Sequence, residues 1–168
     1  GIPRVQIPAT EARSQSLMAV KYYWEDFTPG RVFETATRTL SEEDIVRFGR
    51  EYDPQTYHTD AEVARSSPFG GLIASGWQTA AVGMRLMCDC YLLETSCVGS
   101  PGMDELRWTK PVRPGDTLRM RSTGIEAKPS GKQPNRGTVQ FHWEIFNQND
   151  ELVLSIRGRQ LFLRRAPA

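Results

Sequence analysis

Histidine and cysteine are scarce in this chain, with two and three residues among 168. Three cysteines, Cys88, Cys90 and Cys97, are too few and the wrong number for a disulfide framework. Cys88 and Cys90 fall two apart on a predicted helix, which points them to different faces and argues against a shared metal. Zinc would need further ligands, and His142 is the one spare histidine, so no metal site is expected and the thiols read as reduced and non-catalytic. Long apolar runs are also missing: none nears the roughly 18 residues of a membrane span. The N-terminus lacks a continuous apolar signal region, so a cytoplasmic protein is expected. Charge of one sign is not in excess. With 21 basic and 20 acidic residues the net charge is +1, which calls for neither nucleic acid nor an anionic membrane surface. No internal repeat is visible.

What is present suits one ordinary domain with a sizeable core: 39% hydrophobic and 24% charged residues. Residues 1–17 differ from the rest, with two prolines and no sustained periodicity. They read as a leader, disordered or an added remnant, with Met18 as the natural start and residues 18–168 as a single domain. The alternative is a native arm that wraps a partner subunit.

Thr28-Pro29-Gly30 is turn chemistry, and Arg31 to Thr39 then reads as one strand. Ser41-Glu42-Glu43-Asp44 opens a helix, with Ser41 as cap and acids in the first turn, and Ile45, Val46, Phe48 and Gly49 supply its buried face. Asp53-Pro54 ends it, because the residue before proline avoids the α region. A second short helix is expected from His58 to Ser67, started by Thr59 or Asp60, with Val63 and Ala64 inward. Ser75-Gly76 opens the longest helix, Trp77 to Leu93, whose apolar residues run nearly all round, so it is expected to be buried.

The second half predicts four strands, 102–111, 117–127, 137–148 and 152–164, separated by Pro-, Gly- and Asn-rich turns. Val139, Phe141, Trp143 and Ile145 alternate with Gln140, His142 and Glu144, as in a half-buried strand, which places His142 on a surface or an interface. Short turns imply antiparallel neighbours. One long apolar helix beside one curved antiparallel sheet makes an α+β fold in which the sheet wraps the helix.

Two features can carry chemistry. Asp53 and His58 sit in a loop segment, Asp53-Pro54-Gln55-Thr56-Tyr57-His58. The plain reading is a helix cap and a satisfied turn histidine. The chemical one is a proton-transfer pair, since histidine has the unperturbed pKa nearest neutral and a carboxylate can orient it or handle a second proton. Gly76 opens the long helix, where the first N–H groups lack intrahelical partners and can hold an oxyanion. The plain alternative is that Gly70, Gly71 and Gly76 only let the chain turn and pack.

Taken together these residues resemble the MaoC-like acyl dehydratases, the R-specific enoyl-CoA hydratases with a hot-dog fold. That motif is an aspartate, an asparagine two on and a histidine five on, then about 18 residues later a histidine-glycine pair opening the central helix. Here Asp53, Gln55 and His58 are followed by Gly76, 18 residues after His58. Met103-Asp104-Glu105-Leu106-Arg107-Trp108, Lys110-Pro111-Val112 and Pro114-Gly115-Asp116 resemble the strand and turn after the helix. Gln55 stands for the asparagine, the proline falls at Pro54, and Ser75 stands for the histidine before the glycine. The resemblance implies that Asp53 and His58 are catalytic, that the Gly76 N–H is the oxyanion hole, and that Gln55 and Ser75 bind substrate. It implies an acyl-CoA or acyl-carrier thioester as substrate, no cofactor, and a homodimer or an assembly of dimers. A hot-dog thioesterase and a non-catalytic acyl-CoA-binding module are the alternatives. Lys110, Arg107 and Arg113 read as solvated charges before phosphate ligands, Trp77, Met84 and Met87 as core before an acyl tunnel, and Trp108 as packing.

Overall fold

The computed structural model describes residues 19–166. The expected leader, residues 1–17, and Met18 lie outside the described residues. Two short strands come first, β1 (Val32–Glu34) and β2 (Arg38–Thr39), followed by the helices α1 (Glu42–Tyr52), α2 (Thr56–Thr59), α3 (Ala61–Arg65) and α4 (Gly76–Cys90). Four long strands complete the chain: β3 (Cys97–Trp108), β4 (Thr117–Pro129), β5 (Arg136–Phe146) and β6 (Leu152–Leu163). The sheet order is β1-β4-β5-β6-β3, antiparallel throughout, with β2 also pairing β4. This is the expected α+β arrangement, a curved antiparallel sheet around one long helix.

Alternation sets the strands. Val139, Phe141, Trp143 and Ile145 are buried, while Gln140, His142 and Glu144 face the other side. His142 is half-buried on that outer face, its Nε2 2.8 Å from Ser155 Oγ. The inner face meets Phe27, which stacks on Phe162 at 4.3 Å and meets Phe141 edge-on at 5.7 Å.

Four expectations need correction. The single strand at 31–39 is two strands, because the Thr35 hydroxyl accepts the Met120 N–H (2.9 Å) and so interrupts the regular backbone ladder. The second helix is split at Asp60, whose carboxylate accepts from Glu62 and Val63 N–H at 3.0 Å and restarts the chain as α3; His58 belongs to the turn before it, and Val63 is exposed. β3 does not pair with its successor β4 but with β6, which leaves it at the sheet edge. Finally, α4 is not buried all round. Gln78, Thr79, Val82, Leu86 and Met87 face inward, whereas Trp77 is 61% and Met84 45% exposed. A helix lying on one sheet has one face to bury, so the remaining apolar stripe stays at the surface.

Candidate active site

The site is built where α1 ends. Asp53 caps α1 through its own N–H, donated to Gly49 C=O at 2.9 Å, and Pro54 turns the chain out. One turn of α2 then brings Tyr57 and His58 back against α1. Gly49 allows the approach, since a Cβ there would lie 2.7 Å from the His58 carbonyl oxygen. Two bonds tie this turn to the segment before α4. Tyr57 C=O accepts the Ile73 N–H at 3.0 Å, and His58 Nδ1 lies 2.7 Å from Ile73 C=O. A carbonyl oxygen only accepts, so Nδ1 carries a hydrogen and Nε2 is the nitrogen left to exchange protons.

His58 Nε2 faces Asp53 Oδ2 at 3.3 Å, and His58 is buried. Asp53 has two further donors: Gln55 Nε2 to Oδ1 at 2.8 Å and Ser75 Oγ to Oδ2 at 2.7 Å. Burial pushes the Asp53 carboxyl up, but the Gln55 amide, the Ser75 hydroxyl and the His58 charge together pull it further down, leaving it below its ordinary value. Ser75 is fully buried and is also the N-cap of α4, its Oγ accepting the Trp77 N–H at 3.3 Å.

Asp53, Gln55, Tyr57, His58, Gly76 and Trp108 line one cleft of about 370 Å³, with Phe69, Ile73, Trp77 and Val112 adding apolar wall. The Gly76 N–H opens the first turn of α4 and takes no acceptor among the described residues. The Trp108 indole covers Gly76 so closely that a Cβ there would lie 2.4 Å from Trp108 Cε2. Trp77 meets the same indole edge-on at 5.1 Å.

Thus Asp53, His58, Gln55 and Gly76 converge on the cleft. Ser75 joins them from behind: it touches Asp53 and does not line the cleft. Of the cations considered, Lys110 lines the cleft but pairs with Glu151, Arg107 pairs with Glu105, and Arg113 donates to Phe69 C=O. Trp77 lines the cleft, Met87 lies in the core, and Met84 faces outward. Tyr57, which is not among the site residues expected from the sequence, donates its hydroxyl to Gln55 Oε1. A hydroxyl one residue before the histidine was the available signal. Trp108 packs, but nothing local tells a strand-end tryptophan that it will cover a helix N-terminus.

Residues 26–142 match the MaoC like domain family. The chain belongs to that family. Its structure is similar to the MaoC-like dehydratase from Rhodospirillum rubrum, with TM-score 0.82 and 37% identity, covering 88% of this chain and 100% of the other. It is 33% identical over 129 residues to the uncharacterized protein YdeM of Bacillus subtilis (strain 168), spanning 77% of this chain and 90% of YdeM. It is 31% identical over 109 residues to 3-hydroxyacyl-thioester dehydratase Z of Mycobacterium tuberculosis (strain ATCC 25618 / H37Rv), spanning 64% of this chain and 72% of that protein. The wrapped sheet is therefore the MaoC-like hot-dog fold. At the level of the family the chemistry is that of hydro-lyases, hydratases and dehydratases. Among the described residues, no helix is long and apolar enough to cross a membrane.

Proposed function

We propose that this protein reversibly adds water to a trans-2-enoyl thioester, carried on coenzyme A or an acyl carrier, giving the R-3-hydroxyacyl thioester. The observation that carries the reading is one carboxylate and one histidine, 3.3 Å apart, sharing a cleft with the Gly76 N–H, which has no acceptor among the described residues. The thioester oxygen accepts from Gly76, which stabilises the enolate as it develops. Asp53 serves as the base: its two oxygens accept from the Gln55 amide and the Ser75 hydroxyl, as an ionised carboxylate does. It takes one proton from water as the oxygen bonds to the β-carbon and the C=C electrons move to the thioester oxygen. His58 enters this step as the imidazolium, its Nδ1–H held by Ile73 C=O, and gives its Nε2 proton to the α-carbon as the enolate collapses, which leaves the neutral ring. The proton on Asp53 returns to Nε2, and dehydration runs the same steps backwards. No redox cofactor enters, since adding water involves no net electron transfer. Ser75 and Gln55 act through Asp53, holding its two oxygens.

The test is loss of the enoyl-thioester absorbance with crotonyl-CoA and longer trans-2-enoyl-CoAs, with product chirality read afterwards. Loss of absorbance and an R product are expected. Release of free thiol with the alkene intact would assign a thioesterase instead, and saturable binding without turnover would assign an acyl-CoA-binding module.

The same reading makes the protein a homodimer, or an assembly of dimers. Strand β3 has one edge unpaired among the described residues. Val98, Met103 and Trp108 on β3, and Trp77 and Met84 on α4, leave large apolar groups exposed. Because Trp77 and Trp108 also wall the cleft, a partner seated there would help close the site. Sedimentation equilibrium should give at least twice the 19.0 kDa of one chain; a monomer at micromolar concentration would exclude this.

A further inference from the structure

Gln55 is an exposed, flexible side chain, and ordering it costs rotamer freedom. Its amide has two unlike ends, and only one helps Asp53. With the NH2 toward Asp53 Oδ1 it donates to a carboxylate; reversed, two acceptors would face each other. The other end settles the choice. Tyr57 O–H donates to Gln55 Oε1, which leaves the NH2 for Asp53. Tyr57 does not depend on Gln55 for its own place. Its ring meets His58 edge-on at 4.6 Å and Phe69 at 5.1 Å, and its carbonyl accepts the Ile73 N–H at 3.0 Å.

We infer that Tyr57 is a positioning residue for the Asp53–His58 pair: its hydroxyl fixes the Gln55 amide that holds Asp53, while its ring braces His58. Its importance for turnover rests on the hydratase reading, but its hold on Asp53 does not. Other titratable and charged groups stand around Asp53. His58 faces it from α2, Tyr57 and Lys110 line the same cleft, Lys110 being paired with Glu151, and Glu51 and Tyr52 precede it on α1 and are exposed.

The experiment is a carbon-13 titration of the Asp53 carboxyl in wild type, Tyr57→Phe, Gln55→Ala and the double variant, with steady-state kinetics alongside. Phenylalanine keeps the ring contacts and removes one oxygen. The Asp53 pKa is expected to rise in Tyr57→Phe and in Gln55→Ala, with little further rise in the double variant, because both changes break one chain of bonds. Turnover should fall about 3- to 10-fold in Tyr57→Phe, the scale of one net hydrogen bond, with KM little changed and the acid limb of kcat/KM moved upward. A rise in Gln55→Ala but none in Tyr57→Phe would overturn the inference, as would fully additive shifts. If wild type hydrates no enoyl thioester, the titration still decides what Tyr57 does to Asp53, and only the hydratase reading falls.

Discussion

Asp53→Asn is expected to lower enoyl-thioester hydration by about 10²- to 10⁴-fold in a protein that still folds, the range for losing a positioned general base. The amide has nearly the carboxylate's shape but cannot take a proton from water. It also brings an NH2 where Asp53 offered only acceptors to Gln55, Ser75 and His58. His58→Ala should reach a similar loss in rate, at a further penalty in stability. It empties a buried position and removes the donor to Ile73 C=O, and an unpaired buried carbonyl costs about 1–3 kcal/mol. The double variant should be little slower than the worse single one, because the two groups complete one proton circuit. Circular dichroism, thermal melts and rates on crotonyl-CoA check all three. Full activity in a folded Asp53→Asn would remove Asp53 from the chemistry.

The same carboxylate sets the pH response. The folded-state pKa of Asp53 lies below its ordinary value, so its contribution to stability is present above the ordinary aspartate pKa and is lost as pH falls through the lowered one. The wild-type acid limb therefore belongs below the ordinary aspartate range, and Asp53→Asn should lack this part of the pH dependence of stability.

Much of the scaffold around that pair was legible because it is local. Ser41 accepts the Asp44 N–H at 3.0 Å, and Asp44 accepts the Ser41 N–H at 3.3 Å, the capping box that the spacing announces. Pro54 ends α1 and Ser75 starts α4 for equally local reasons. Asp53, His58 and Gly76 stood out only as a spaced set; each alone admitted a plain structural reading. What could not be read depends on neighbours far along the chain. The partner of β3 is β6 because the long stretch after Trp108 carries the chain across the sheet, and no turn signal encodes that. Trp77 and Met84 look like core by composition, but which side of α4 meets the sheet is decided by packing. The resemblance implies Ser75 against substrate, whereas it lies behind Asp53, because a side chain that caps a helix must turn back on its own N–H groups.

Gly49 carries the second large expectation. A Cβ at this position would lie 2.7 Å from His58 O, 3.0 Å from His58 Cβ and 3.1 Å from Thr59 Cγ2. The first is backbone and the second is fixed to it, so neither can rotate aside, and α2 must move away from α1. Two energies compete in Gly49→Ala. Alanine in a helix gains up to about 1 kcal/mol over glycine, while overpacking a tight contact loses about 1–3 kcal/mol. The net change in stability is therefore small or modestly unfavourable. The catalytic effect should be larger. Asp53 is anchored to α1 through Gly49 C=O, whereas His58 rides on the displaced turn, so their 3.3 Å separation must change. Misplacement on the order of 1 Å costs about 10²-fold in rate, so kcat is expected to fall by roughly 10- to 100-fold while the melting temperature moves by only a few degrees. Stopped-flow rates beside thermal melts separate the two effects. A Gly49→Ala protein with wild-type kcat would show that the close approach of α1 and α2 serves packing and leaves the proton-transfer geometry untouched.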